Sequence, residues 1–231
     1  RVGMVQFHQS YSYEVFIQGY RPSGTGFELK NGLFYQFSKS AQGNPDKKYV
    51  FIIDEINRGN LSKVFGELMM LIKADKRGEG WAMPLTYRKN NEDKFHIPEN
   101  LYIIGLMNTA DRSLAVVDYA LRRRFAFIDL EPQFNGPFKD YLRKQGADTS
   151  LASKIIKKMS DLNQDVEKDA VNLGKGYCIG HSFFCSGEHH EQLNDEWYRH
   201  VIKFEIEPLI REYWFDNSSK ADQLINELLA D

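Results

Sequence analysis

One stretch constrains the fold more than any other: Tyr49-Val50-Phe51-Ile52-Ile53, followed at once by Asp54-Glu55. The apolar run is unbroken. A strand with one wet face alternates apolar and polar residues, and this one does not. The run predicts a strand buried on both faces, the pattern of a parallel α/β sheet. Leu101-Tyr102-Ile103-Ile104-Gly105-Leu106-Met107 predicts a second such strand and Phe125-Ala126-Phe127-Ile128-Asp129-Leu130 a third. Val2-Gly3-Met4-Val5-Gln6-Phe7 adds another at the start.

Helical patterns lie between the strands. Ser62 to Lys73 places Val64, Phe65, Leu68, Met69, Leu71 and Ile72 at helical spacing, with Ser62 as the start signal, and Leu114 to Arg122 is a second helix. A short helix capped by Ser12 is expected before Val15-Phe16-Ile17, and a further one through Phe37-Ser38-Lys39, ending near Gly43. Asn31-Gly32 predicts a hairpin turn between Phe27–Lys30 and Leu33-Phe34, and residues 81–97 predict a second hairpin turning at Asn90-Asn91. After Pro132 the character changes. Four helical patterns follow, at about 138–145, 151–170, 192–213 and 220–230, without a further strand. The expected organisation is an α/β unit over residues 1–132 and a small all-helical unit over 133–231.

Composition excludes several classes. With 42% hydrophobic and 27% charged residues the chain is an ordinary globular one, not a disordered one. Thirty Lys and Arg face 32 Asp and Glu, a net charge of −2, so nothing draws the whole chain to nucleic acid or an anionic membrane. No apolar run approaches the ~18 residues of a membrane span. Cys178 and Cys185 are too few for a disulfide scaffold, which points to a reducing, cytoplasmic setting. The chain opens on Arg1 inside a strand, with no signal-peptide pattern, and is expected to be a piece of a longer protein.

Three elements carry chemistry. The first is Asp54-Glu55 at a strand end. Phosphoryl-transfer sites need two adjacent carboxylates with different tasks, one beside Mg²⁺ and one polarising the attacking water. The second is Met107-Asn108-Thr109-Ala110-Asp111-Arg112-Ser113 at the end of the next strand, where an Asn can hold water or phosphate from the side. The third is Leu121-Arg122-Arg123-Arg124-Phe125, and the planar, permanently charged guanidinium suits phosphate. Each alone has a plain reading: a helix cap, an Asx turn, or cations at a helix C-terminus. Their order and spacing together match the toolkit of an AAA+ ATPase, and a helical lid after the last strand completes the pattern.

Ile53-Asp54-Glu55-Ile56-Asn57-Arg58 and Met107–Ser113 resemble the Walker B and signature segments of the McrB-type AAA+ GTPases. These are the GTP-hydrolysing subunits of modified-cytosine restriction systems. Met4–Glu14, Gly19-Tyr20-Arg21-Pro22, Ala120–Phe125 and Ile179-Gly180-His181-Ser182-Phe183 resemble the same family, so the similarity covers nearly the whole chain, weakest over 133–170 and 186–200. The resemblance implies a P-loop NTPase core followed by a helical lid. It gives Asp54 the Mg²⁺-associated role, Glu55 that of general base and Asn108 that of sensor. It makes Arg123 and Arg124 the arginine-finger candidates, acting on nucleotide held by a neighbouring subunit. It sets Asn57, Arg58, Asp111 and Arg112 at the same nucleotide and subunit interface. It further implies GTP with Mg²⁺, ATP being the alternative, a homo-oligomeric and usually hexameric ring, and an McrC-like nuclease partner. DNA is then met through the assembled complex, with modification recognised by a separate N-terminal domain.

Two departures stand out. No G-x-x-x-x-G-K-[ST] loop occurs in these 231 residues; Gly174-Lys175-Gly176 is a short fragment of one, in the helical part. In the family that loop precedes the first segment seen here, so these residues alone are expected to bind nucleotide poorly, to be inactive and to leave apolar surface open. The family also frequently carries an Arg just before Ile-Gly-His-Ser, where this chain has Cys178; Arg199 and Arg211 are other arginines of the helical part.

Smaller signals have plainer readings. Cys185, His189 and His190 lack a second ligand pair at zinc spacing. His181 after Gly180 has two readings, contact with nucleotide or partner and, the plainer one, a hydrogen-bonded structural histidine. The 81–97 hairpin, with Trp81 and Tyr87, is a surface hairpin unless it enters a ring pore. Two readings compete with the restriction motor: an ATP-driven remodelling ATPase of the MoxR kind, and a nucleotide-free AAA+ scaffold that only binds partners.

Overall fold

The computed structural model describes residues 1–90, 93–108, 110, 122–185 and 193–230. The chain divides into two compact units, Arg1–Ile128 and Asp129–Asp231.

The first unit is built on three parallel strands in the order β1-β4-β7: β1 (Val2–Gln6), β4 (Tyr49–Asp54) and β7 (Leu101–Gly105). The register pairs Val2 with Val50 and Val50 with Tyr102, so β4 is the central strand. Between β1 and β4 run α1 (Tyr13–Phe16), the antiparallel ribbon β2 (Gln18–Ser23) and β3 (Gly26–Asn31), and α2 (Leu33–Gln42). Between β4 and β7 run α3 (Leu61–Phe65), α4 (Leu68–Leu71) and the two-residue strands β5 (Met83–Pro84) and β6 (Lys94–Phe95).

The core sits on one face of the sheet. Phe16, Phe34, Phe51 and Phe65 are fully buried there, with ring centroids 5.0 Å apart for Phe16–Phe34 and 5.2 Å for Phe34–Phe51. The opposite face of the same strands exposes Val2 (67%), Met4 (58%), Tyr102 (48%) and Ile104 (46%), and Val50 and Ile52 are only half-buried. A parallel sheet normally covers both faces. The unbroken apolar pattern of Tyr49–Ile53 therefore carries burial for two faces, of which the described residues fill one.

Several expectations need correction. Phe125–Leu130 forms no strand: Phe127, Ile128 and Leu130 are exposed, because a strand persists only where a neighbouring edge takes its hydrogen bonds. The first hairpin does not turn at Asn31-Gly32 but at Gly24-Thr25, between paired Ser23 and Gly26, where Gly24 takes φ +56°. Gly32 instead opens α2 and touches α1 so closely that a Cβ there would lie 2.4 Å from the Val15 carbonyl oxygen. The helix expected over 62–73 starts on Asn60, whose side chain accepts the Lys63 N–H at 3.1 Å, and it breaks at Gly66, φ +50°. Ser12 does occupy the cap position of α1, but its hydroxyl makes no cap bond to the helix. The helix expected over 114–122 lies almost wholly outside the described residues, as does the Asn90-Asn91 turn beyond Asn90.

The second unit is helical: α5 (Gly136–Lys144), α6 (Thr149–Lys168), α7 (Asp195–Val201), a π segment (Ile202–Ile206) running on into α8 (Glu207–Tyr213), and α9 (Ser218–Leu229). Asn135, Asp148, Asn194 and Asn217 each accept a backbone N–H at a helix start, which answers the unpaired donors of a first turn. Ile155, Met159, Leu162 and Val166 form the buried stripe of α6. No described helix is long and apolar enough to cross a membrane.

Candidate nucleotide-hydrolysis site

The site lies at the carboxyl ends of the parallel strands, where open α/β sheets place their ligands. The tip of β4 is clamped from both sides. Phe7 N–H donates to the Asp54 carbonyl at 2.9 Å, Leu106 N–H to the Ile53 carbonyl at 2.8 Å, and Ile56 N–H to the Leu106 carbonyl at 2.9 Å. A Cβ on Gly105 would sit 2.7 Å from Ile56 Cδ1, so the glycine lets the turn after β4 lie across β7.

Asp54 ends the strand half-exposed. Glu55 follows with φ 50° and ψ 43°, and is the non-glycine residue with positive φ among those described. A left-handed L-residue is strained, and such strain collects at functional sites. The turn Ile56–Arg58 then brings Arg58 Nε within 3.1 Å of Glu55 Oε2, an ion pair. Glu55 Oε2 is buried and faces that guanidinium, and Asn57 Oδ1 is a buried oxygen with no hydrogen-bond donor among the described residues. Asn57 Nδ2 reaches the Asn108 carbonyl at 3.4 Å, which joins the tips of β4 and β7. Asn108 Oδ1 accepts the Ala110 N–H at 3.0 Å, so the Asn closes an Asx turn at the strand exit.

Buried oxygens are almost always paired in folded proteins. Asn57 Oδ1 is the exception here, and with the carboxylates of Asp54 and Glu55 at the strand tip it gives an oxygen set that suits a hard cation with its water and phosphate ligands. Among the described residues no three His, Cys, Asp or Glu side chains gather as a self-sufficient metal centre.

The structure brings together Asp54, Glu55, Asn57, Arg58 and Asn108. It separates the two finger candidates by environment: Arg124 is half-buried, its Nε donating to the Met69 carbonyl of α4 at 2.5 Å, whereas Arg123 lies at the surface. Asp111 and Arg112 lie outside the described residues.

Sequence reasoning missed three polar anchors. Arg77 donates to the Ile72 carbonyl through Nε (3.0 Å) and Nη2 (2.6 Å) and to the Leu101 carbonyl through Nη1 (2.7 Å), tying the end of α4 to the start of β7. Glu67, at the break between α3 and α4, accepts from the Tyr13 hydroxyl (2.6 Å) and the Thr86 N–H (2.5 Å). In the second unit Asn163 is buried on α6 and bonds the backbone of Ile179 twice. Only Asn163 left a signal, an amide set within an apolar stripe.

Residues 1–125 match the family model of the AAA domain (dynein-related subfamily), and residues 154–222 match that of the McrB alpha-helical lid domain. The chain belongs to the AAA family, in its dynein-related subfamily. Its second unit carries a lid of the McrB kind. Along its whole length the chain is 58% identical to the type IV methyl-directed restriction enzyme EcoKMcrB subunit of Escherichia coli K12, of which it spans 51%. Over 51% of its length it is 29% identical to the type II restriction enzyme BsuMI component YdiS of Bacillus subtilis 168, covering 39% of that protein. The chain thus spans about half the length, or less, of these curated relatives.

Proposed function

We propose that this chain is the catalytic half of a nucleoside-triphosphate-hydrolysing motor subunit, GTP-preferring, in a modified-DNA restriction complex. The observation that carries the reading is the tip of β4: Asp54 followed by a strained Glu55 that is ion-paired with Arg58, in an AAA chain with an McrB-type lid. Its similarity to a restriction-enzyme subunit supports the biological setting.

In this reading Asp54 would take the Mg²⁺-associated role, and the ion would neutralise charge on the phosphates. Glu55 Oε2 accepts a proton from the attacking water. Arg58 opposes Glu55, fixing its rotamer, and Asn57 and Asn108 orient polar groups across the strand tips. Arg123 reaches nucleotide held by the next copy in a ring, which we take as hexameric, and Arg124 supports it from within. Asp111 and Arg112 complete the same interface. The phosphate loop comes from residues of the intact protein outside this chain. An McrC-like partner couples hydrolysis to DNA translocation or nuclease activation, in the cytoplasm.

The test is steady-state hydrolysis of GTP and of ATP, side by side with Mg²⁺, by the intact protein. GTP turnover is expected, with Glu55→Gln lowering it by about 10²–10⁴-fold while nucleotide-dependent assembly survives. Turnover of ATP alone moves the assignment to a remodelling ATPase of the MoxR kind. Turnover of neither, with or without a nuclease partner, leaves a partner-binding scaffold.

A further inference from the structure

The helical unit contains a strap that the hydrolysis site does not use. Asn163 sits in the buried stripe of the twenty-residue helix α6 and is 8% exposed. Its Nδ2 donates to the Ile179 carbonyl at 2.9 Å and its Oδ1 accepts the Ile179 N–H at 2.7 Å. The side-chain amide thus replaces a strand partner for one residue, and holds an irregular segment to a regular helix. Two residues on, His181 Nδ1 accepts the backbone N–H of Gln133 at 3.1 Å. That bond puts the imidazole proton on Nε2. The ring packs edge-on against Phe138 (5.5 Å between centroids) and Phe134 (6.4 Å). At the other end of the strap Lys175 Nζ lies 3.5 Å from Glu131 Oε1.

The strap 175–181 therefore touches residues 131, 133 and 134, within the stretch that leads in from Ile128 and opens the helical unit. Up to Asn135, where α5 is capped, that stretch is irregular. Irregular backbone depends on side-chain partners for its order. The exposed Lys175–Glu131 pair contributes little. The His181 bond, backed by two aromatic rings and by the buried Asn163 amide, contributes most of it.

We propose that His181 is a positioning residue: with Asn163 it stiffens the segment by which the chain enters the lid, and so transmits the state of the hydrolysis site into the lid. The kinetic part of this inference rests on the proposed NTPase reading; the structural part does not. His181 touches no nucleotide in this assignment and acts through Gln133.

The experiment uses the intact protein and three variants. His181→Asn sets an amide oxygen near the place of Nδ1 and keeps the acceptor. His181→Gln sets its amide near the place of Nε2 and loses it. His181→Phe keeps the ring packing and loses the acceptor. Amide hydrogen exchange across residues 129–135 is read by mass spectrometry, together with kcat and KM for GTP. Loss of the bond is expected to speed exchange of the Gln133 amide by about tenfold in the Gln and Phe variants, with the Asn variant near wild type. Their kcat is expected to fall with KM for GTP nearly unchanged, and to return in the Asn variant. Unchanged exchange at 129–135 in the Gln variant, or an Asn variant that behaves like the Phe variant, overturns the proposal. If the Phe variant does not fold, the comparison of Asn with Gln decides. If the wild type hydrolyses nothing, the NTPase reading falls while the exchange result still decides the strap.

Discussion

Glu55 offers a measurement of strain at a catalytic candidate. Its φ of 50° and ψ of 43° put a Cβ-bearing residue in the left-handed region, which costs about 1–2 kcal/mol. Glu55→Gly removes that cost but frees the unfolded chain, returning about 0.4–1 kcal/mol. Glu55→Ala keeps the strain. The Gly variant is therefore expected to be more stable than the Ala variant by about 0.5–1 kcal/mol. The Arg58 pair that both variants give up has its cation 44% exposed and contributes little. Glu55→Gly should then be the most stable of the three, with midpoints a few degrees apart, about 2–4 °C per kcal/mol. Thermal unfolding of the three intact proteins, without nucleotide, checks the order. Hydrolysis measured on the same samples should be lost in both variants, which would make Glu55 a residue kept for function against stability. An Ala variant as stable as the Gly variant refutes the strain argument.

Other outcomes follow from particular contacts. Gly32→Ala would set a methyl 2.4 Å from the Val15 carbonyl oxygen and 2.5 Å from the Phe16 carbonyl carbon, both backbone, so a loss of about 3 kcal/mol or more is expected in chemical denaturation. Burial, then Glu167, pushes the Cys178 thiol up to about 11, so iodoacetamide at pH 8 should label the exposed Cys185 well before Cys178, with Cys178 catching up only as the pH nears that value; peptide mapping reads the order. Burial, then Lys39, holds His96 below the ordinary imidazole value of 6.5; the unfolded chain then binds a proton that the folded one refuses, so stability should fall as pH drops below about 6.5, and His96→Gln should flatten that part of the profile. Mixing Arg123→Ala with Glu55→Gln subunits should restore some hydrolysis if the finger acts between copies, and no recovery at any ratio counts against Arg123.

The exposed sheet face shows how the two levels of information differ. The unbroken run Tyr49–Ile53 announced a strand built for two covered faces, because apolar side chains on both sides of a pleat have no other use. Which face the present residues cover was not legible: it depends on where α1, α2 and α3 return, and the rings of Phe16, Phe34 and Phe65 meet only there. The same holds for Phe125–Leu130. Its composition is that of a strand, yet strand formation is a property of pairs of edges, so a single segment cannot decide it.

The sequence by itself determined the α/β-then-helical order, the placement of Asp54-Glu55 and Asn108 at neighbouring strand ends, and the membership of the AAA family. Each is local, carried by residues close in the chain or by a motif. The tertiary structure alone decided the left-handed Glu55, its pairing with Arg58, the inward turn of Arg124, and the grip of Asn163 and His181 on distant backbone. These are matters of which donors and acceptors meet after the chain has closed on itself. Asn163 and Ile179 are sixteen residues apart and His181 and Gln133 forty-eight, separations at which no periodicity in the sequence reports a contact.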